Sequence, residues 1–186
     1  MEDFTNKLPD GTPILFIETG THVGDGVMAA ANRLTKVAHF HSVELTEPQY
    51  RYCANRFAGS RNITIHHGSS DAFLRNTLPI ILKKADVDGN PAALVIWLDA
   101  HWSGGNVGDP NNQCPIIEEL KAIVPLWSGR KIFLAIDDWE AFNVAGALGS
   151  ECNASQWPTS AEIRSHVPTD TVTTTDIHSQ VIYESQ

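Results

Sequence analysis

The sequence predicts an α/β fold, a mainly parallel sheet flanked by helices and ending in an antiparallel C-terminal hairpin. Three observations carry that prediction. Five short apolar, β-like runs recur along the chain, at residues 14–17, 39–43, 63–66, 94–98 and 132–136. Helix signals fill the intervals, and strands that alternate with helices form parallel sheets covered on both faces. After the last helix signal come two alternating runs containing Thr, Val, Ile and Tyr, 171–175 and 180–183, joined by a short link as a hairpin requires.

The helices are read from their ends and faces. Residues 24–36 follow a Gly-rich turn and form the first. Thr46-Glu47-Pro48-Gln49 has the Thr-x-x-Gln form of a capping box with Pro in the first turn, and Gly59 ends that second helix. Residues 71–85 read as a third, which Pro79 should kink or break because proline lacks an N–H and crowds the preceding turn. Residues 114–124 form a fourth with Ile116, Ile117, Leu120 and Ile123 on one face. Thr159-Ser160-Ala161-Glu162 repeats the capping-box pattern and opens a short fifth helix to His166. Two long polar connections, 102–113 and 139–158, follow strands at their C-terminal ends. That edge is where open α/β sheets bind ligands.

A chain of 186 residues with 42% hydrophobic and 19% charged residues reads as one globular domain, 1–186. The longest apolar run, 92–98, is far short of the ~20 residues a membrane helix needs. The first residues lack the basic flank and apolar stretch of a secretory signal, so the expected location is cytoplasmic. The net charge is −9, and the only local basic pairs are Lys83-Lys84 and Arg130-Lys131. Binding by phosphate neutralisation uses a basic face, so neither nucleic acid nor a membrane is expected as a partner. Three widely spaced cysteines without a C-x-x-C indicate reduced thiols rather than a disulfide framework or a cysteine zinc site.

Four constellations carry chemistry. Glu18-Thr19-Gly20-Thr21-His22-Val23-Gly24 runs from a strand through a Gly-rich turn into a helix, where backbone approaches a ligand closely and N–H groups lie free. It is not G-x-G-x-x-G, and a carboxylate before the turn repels a pyrophosphate while suiting a ligand with an amino group. Glu44, followed by Leu45, ends the second strand at the spacing where an acid accepts hydrogen bonds from ribose hydroxyls. Its alternative is a charge at the start of the helix that Thr46 caps. Gly68-Ser69-Ser70-Asp71 follows the third strand and reads equally well as an adenine-edge reader and as a helix N-cap. Asp99, with Asp137-Asp138, places carboxylates at the ends of two strands.

Together, Glu18-x-Gly20-x-x-x-Gly24, Glu44, Gly68-Ser69-Ser70-Asp71 and Leu98-Asp99 resemble the strand-end motifs of class I S-adenosylmethionine-dependent methyltransferases over nearly the whole chain. More narrowly, residues 97–105, 115–120, 136–138 and 157–160 look like a bacterial methyltransferase-like group. The resemblance implies a Rossmann-like methyltransferase fold with S-adenosylmethionine as cofactor. Glu18, Gly20 and Gly24 would hold its methionine end, with Thr19, Thr21 and His22 of the same turn also counted as cofactor-binding. Glu44 would take its ribose, and Leu45, Ser69, Ser70, Asp71 and Asp99 would complete the cofactor site. Two departures stand out. His22 replaces a frequent middle glycine, and Ser69 stands where an adenine-reading acid usually does. Little chain precedes residue 14, which implies a small open pocket or one that a second subunit completes, as in a homodimer.

The acids Asp99, Asp137 and Asp138 resemble those of metal-dependent O-methyltransferases, which hold a divalent ion that binds substrate hydroxyls. Carboxylate-rich sites suit Mg²⁺ or Ca²⁺; the alternative is that Asp137-Asp138 caps a turn and Asp99 faces solvent. His101 is the candidate general base, beside Asp99 as the other catalytic residue. Its alternative is a loop histidine bonded to backbone. Zinc at His39-x-His41 or His66-His67 lacks supporting spacing. Trp97 is expected in the core, and Trp102, Trp139 and Trp157 around the pocket. The expected activity is methyl transfer to a hydroxyl of a small-molecule or saccharide-like acceptor. A cofactor-binding module without transferase activity is the alternative.

Overall fold

The computed structural model describes residues 4–86, 89–105, 107–142, 152–168, 172–177 and 180–185. Five parallel strands, β1 (Ile14–Thr19), β2 (His39–Glu44), β3 (Ile63–His67), β4 (Ala93–Leu98) and β5 (Ile132–Ile136), join an antiparallel pair, β6 (Val172–Ile177) and β7 (Gln180–Ser185). Their order is β3-β2-β1-β4-β5-β7-β6 in one sheet. The expected mainly parallel sheet with a terminal hairpin is therefore present. Thr171 lies outside the described residues, as do Asn106 and 143–151 of the two long connections.

Successive side chains on a strand point to opposite faces, so each strand feeds two cores. Leu15, Ile17, Val43, Ile96 and Leu134 pack with Leu78 and Leu82 of α4 (Leu78–Ala85), Leu120 and Ile123 of α5 (Ile116–Ile123) and Ile163 of α6 (Ser160–His166). Phe16, Phe40, Val95 and Phe133 pack on the other face with Val27 and Ala30 of α1 (Asp25–Arg33), Cys53 of α2 (Glu47–Arg56), and Phe57 just after it. Each buried Val, Leu, Ile or Phe contributes about 1.5–3 kcal/mol. No helix among the described residues is long and apolar enough to cross a membrane.

Three local features differ from expectation. The helix expected over 24–36 stops at Arg33 because Leu34 leaves helical geometry to bury itself at 2% exposure. The third helix is not simply kinked: α3 (Ser70–Ala72) passes into a π-helical turn at Phe73–Thr77 before α4 begins. Pro79 sits in the first turn of α4, where its missing N–H is least costly, and the wider π turn before it makes room for the ring. Thr46 heads α2 but makes no capping bond to the helix backbone. Its hydroxyl is oriented toward Glu44, donating to Oε1 at 2.6 Å, rather than toward the free N–H groups of the helix. The Thr159 capping box forms as read, with Glu162 N–H donating to Thr159 Oγ1 and Thr159 N–H to Glu162 Oε2.

The β2–β3 edge gathers His39, His41 and His66. A hydrogen bond of 3.0 Å links His41 Nδ1 and His66 Nε2, and the rings of His39 and His41 stack at 4.5 Å. Burial, reinforced by the neighbouring His39 and His66, pushes His41 down to about 3 from its ordinary 6.5. A folded value below the unfolded one means stability present above pH 6.5 and lost as pH falls toward 3. Replacing His41 by Gln should therefore flatten the loss of melting temperature between pH 7 and about 5, relative to wild type. An unchanged pH slope would remove His41 as a cause of acid lability.

Candidate functional site

The C-terminal ends of β1, β2 and β4 open onto a cleft. Gly20, His22, Glu44, Leu45, Ser69, Ser70, Asp71, Asp99 and His101 line it, together with Ser103, Gly108, Asp109 and Asn112 of the loop after β4.

Gly20 creates the approach. Its φ is +82°, and a Cβ there would stand 2.1 Å from the Asp99 carbonyl oxygen, so no other residue fits against β4. The turn is held by Gly20 N–H donating to Val43 O at 3.0 Å and by His22 N–H donating to Glu44 Oε2 at 2.8 Å. His22 takes a left-handed conformation, φ 49°, and lines the cleft. Glu44 Oε1 also accepts from Thr46 N–H at 2.8 Å and from its hydroxyl at 2.6 Å. A carboxylate offers about four lone-pair sites, so Oε2 keeps one free to face the cleft.

Four residues read as cofactor-binding, Glu18, Thr19, Thr21 and Gly24, do not line the cleft. Strand alternation turns Glu18 onto the α1 face, where Oε2 accepts from Ser42 Oγ and Oε1 fills the space a Cβ on Gly26 would occupy. Burial is the main reason that Glu18 is pushed up to about 8; Ser42 opposes the rise, and the charges of Asp99 and Glu44 add to it. Thr21 pairs with the same Ser42 hydroxyl at 2.6 Å, so these side chains brace the turn rather than reach a ligand. Thr19 is buried with its hydroxyl 3.3 Å from Asp99 N, which donates to it. Gly24, at φ +84°, packs against Phe57 of the α2 side, its place fixed by helix packing. At the third strand end, Ser69 heads α3 without a side-chain capping bond, which leaves its hydroxyl open to the cleft. Asp71 stands 3.6 Å from Arg75.

The carboxylates at the other strand ends find a histidine. His101 Nε2 bonds Asp138 Oδ2 at 3.0 Å, and its Nδ1 lies 3.5 Å from Asp99 Oδ1. The ring is 8% exposed, and Trp157 lies against it with ring centroids 5.4 Å apart. Burial disfavours a charged ring, yet Asp138, Asp99 and Asp137 outweigh it and raise His101 above its ordinary value. Burial pushes Asp99 up to about 7; His101 opposes the rise, while Asp137 and Asp138 reinforce it. The His101 bond lowers Asp138, and burial raises Asp137, which accepts from Gln180 at 3.3 Å. The three acids read as holding a divalent ion, Asp99, Asp137 and Asp138, thus lie around one imidazole. Among the described residues no group of three or more His, Cys, Asp or Glu side chains is arranged to hold a metal ion; His101 provides counter-charge to Asp99 and Asp138.

The tryptophans are also redistributed. Trp102 and Trp139 are buried, and Trp157 packs on the back of His101, so none of them lines the cleft. Trp97 lies partly buried at a second hollow on the α1 face beside Phe16 and Glu18. Two residues to which the sequence assigned no site role stand close to it. Glu119 of α5 is 1% exposed and is pushed up to about 7 by burial, against hydrogen bonds from Ser70 and Thr19. Its position among Ile116, Leu120 and Ile123 on the apolar stripe was the available signal. Gln113 ties the two long connections together, accepting at Oε1 from Asn153 N–H at 2.8 Å and donating its own N–H to Gln156 at 2.9 Å.

No protein-family model matches the sequence, and no curated protein sequence matches it. Solved structures do match its fold. A Staphylococcus aureus protein assigned as a caffeoyl-CoA O-methyltransferase aligns at 15% identity over 93% of this chain and 76% of that one, with a TM-score of 0.57. A SAM-dependent methyltransferase from Aquifex aeolicus aligns at 9% identity over 98% and 87%, TM-score 0.54. The Methanococcus jannaschii fibrillarin pre-rRNA processing protein aligns at 12% identity over 96% and 68%, TM-score 0.53. The chain thus has the class I SAM-dependent methyltransferase fold, Rossmann-like, that its strand-end motifs imply. Fibrillarin also corrects the expectation of no nucleic-acid partner. The fold is that of a pre-rRNA processing protein, and an acidic sum over the whole surface does not exclude a local groove of opposite sign.

If Asp138 holds His101 above its ordinary value, Asp138→Asn should lower the His101 pKa, read from the ring resonances in an NMR pH titration. An unchanged titration would mean that Asp138 contributes nothing to that charge.

Proposed function

We propose that this protein transfers the methyl group of S-adenosylmethionine to a hydroxyl of a small-molecule or saccharide-like acceptor. The observation that carries the proposal is a partly buried carboxyl, Asp99, that lines the cleft with His101 against it at 3.5 Å and is pushed up to about 7, mainly by burial. A base poised near the working pH suits removal of a hydroxyl proton.

The residues of the cleft fit the cofactor. The Gly20 turn lets a ligand lie against backbone, Glu44 Oε2 has a free acceptor site for ribose hydroxyls, and Leu45, 40% exposed, gives a base an apolar surface. Ser69 and Ser70 supply hydroxyls at the third strand end. When bound, S-adenosylmethionine supplies an electrophilic methyl group on a sulfonium. Asp99 accepts the proton of the acceptor hydroxyl on its carboxylate as the oxygen gains its methyl. His101, held by Asp138, orients Asp99 and balances its charge, so the two act as one coupled acid–base pair. Alignment of the acceptor oxygen in the cleft supplies much of the acceleration.

S-adenosylhomocysteine should raise the melting temperature while NAD leaves it unchanged, since a ligand of the native state stabilises by mass action. An equal shift with NAD would contradict the proposal. Replacing Glu44 by Ala removes hydrogen bonds to a charged acceptor, each worth about 1.5–3 kcal/mol, so affinity should fall roughly tenfold or more. Calorimetry showing wild-type affinity would refute the ribose role. With methyl-labelled cofactor, label recovered as a methyl ether on a hydroxyl compound supports the acceptor class. Label recovered on RNA, or on nitrogen, contradicts it.

A further inference from the structure

On the α1 side of the sheet, register pairs Glu18 of β1 with Trp97 of β4, so the two side chains stand together on that face. α1 crosses them with Gly26 and Ala29, residues too small to fill the space, and a hollow of about 140 Å³ remains between helix and strands. Among the described residues it shares no lining side chain with the cleft. A cavity of about 150 Å³ holds one benzene-sized ring, and Phe16 and Trp97 give this one aromatic walls.

The inner end is a carboxyl. Glu18 is 2% exposed. Ser42 donates to its Oε2, and no described residue bonds Oε1, which lies where a Cβ on Gly26 would come within 2.2 Å. The absent side chain at Gly26 is what leaves that oxygen room. Asp99 and Glu44 face Glu18 with negative charge, so the fold supplies it no cation from its own side of the hollow. Gln180 brings a second acceptor: its amide nitrogen donates to Asp137 at 3.3 Å, and the carbonyl oxygen is the end that remains. Arg33 lines the hollow about two turns along α1 from Gly26, at the exposed end of the helix, and makes no ion pair with Glu18 among the described residues. Acceptors within, aromatic walls and a guanidinium at the rim give the hollow one polarity, positive end inward.

We propose that this hollow is a second ligand site, for a primary amine carried on a single aromatic ring, with the ammonium on Glu18 Oε1 and the ring against Trp97. An ammonium has three hydrogens to give, enough for Glu18 and Gln180 together. Burial raises the carboxyl of the empty hollow to about 8, and a cation bound against it draws that value down, so the amine is held by the ionised form. Occupancy of the hollow is independent of the methyl transfer proposed above, because the two sites lie on separate lining residues.

The probes are 2-phenylethylamine and 2-phenylethanol, equal in shape and different in charge. Both are titrated at about pH 8.5, where a carboxyl pushed up to about 8 is mostly ionised, and followed by the broadening of the ligand ring protons in NMR. The wild type should bind the amine at least tenfold more tightly than the alcohol, as expected for a hydrogen bond to a charged group. Equal binding of the two, or no binding of the amine, overturns the inference. In Glu18→Gln, whose amide can still bond Ser42, the preference should fall toward unity with cooperative unfolding retained. A variant that keeps the wild-type ratio overturns the assignment of Glu18. Ala29→Trp, on the exposed side of α1, fills the mouth of the hollow and should abolish binding of both probes. Amine binding unaltered in Ala29→Trp overturns the site whether or not Glu18→Gln folds.

Discussion

The site depends on one backbone contact: the end of β1 turns against the carbonyl of Asp99 at a residue that has no side chain. A methyl group on Gly20 would overlap that oxygen, so the turn, the cleft above it and the position of Asp99 are set together. Everything nearby fastens this contact. Glu44 draws in the His22 N–H from one side and the start of α2 from the other, and Glu18 reaches through Ser42 to Thr21 from below. Acids that a motif reading assigns to a ligand are thus partly spent on holding the ligand's seat.

The same economy governs the charges. Three carboxylates at the ends of β4 and β5 would repel one another, and a divalent ion is one solution. Here His101 is the other. Held between Asp99 and Asp138 and shielded by Trp157, it stays above its ordinary value while Asp99 is raised beside it. A carboxyl and an imidazole that are both raised above their ordinary values are thereby coupled through one contact.

Much of this was legible in the sequence. Each parallel strand lies within two residues of its apolar run, because buried strands in such a sheet read as continuous β-branched and aromatic segments. The Gly20 turn, Glu44, the Ser69–Asp71 segment and Asp99 are brought to one cleft by topology alone, since parallel strands present their C-terminal ends on the same edge. The unread parts depend on competition between partners. Thr46 matches a capping box, but its hydroxyl is turned to Glu44 and makes no bond to the helix backbone. Glu18 has the expected place in the chain, yet strand alternation and the gap at Gly26 send its side chain to the α1 face. Glu119 resembles a surface glutamate next to Glu118 until the turn of α5 carries it into the buried face of the helix.

The most direct test of this arrangement is a crystal structure of the protein with S-adenosylhomocysteine. Ribose hydroxyls on Glu44 Oε2, the base between Leu45 and Ser70, and the sulfur facing Asp99 are the expected result. A ligand seated instead in the hollow on the α1 face, between Phe16, Glu18 and Trp97, would contradict the placement of the site at the Gly20 turn.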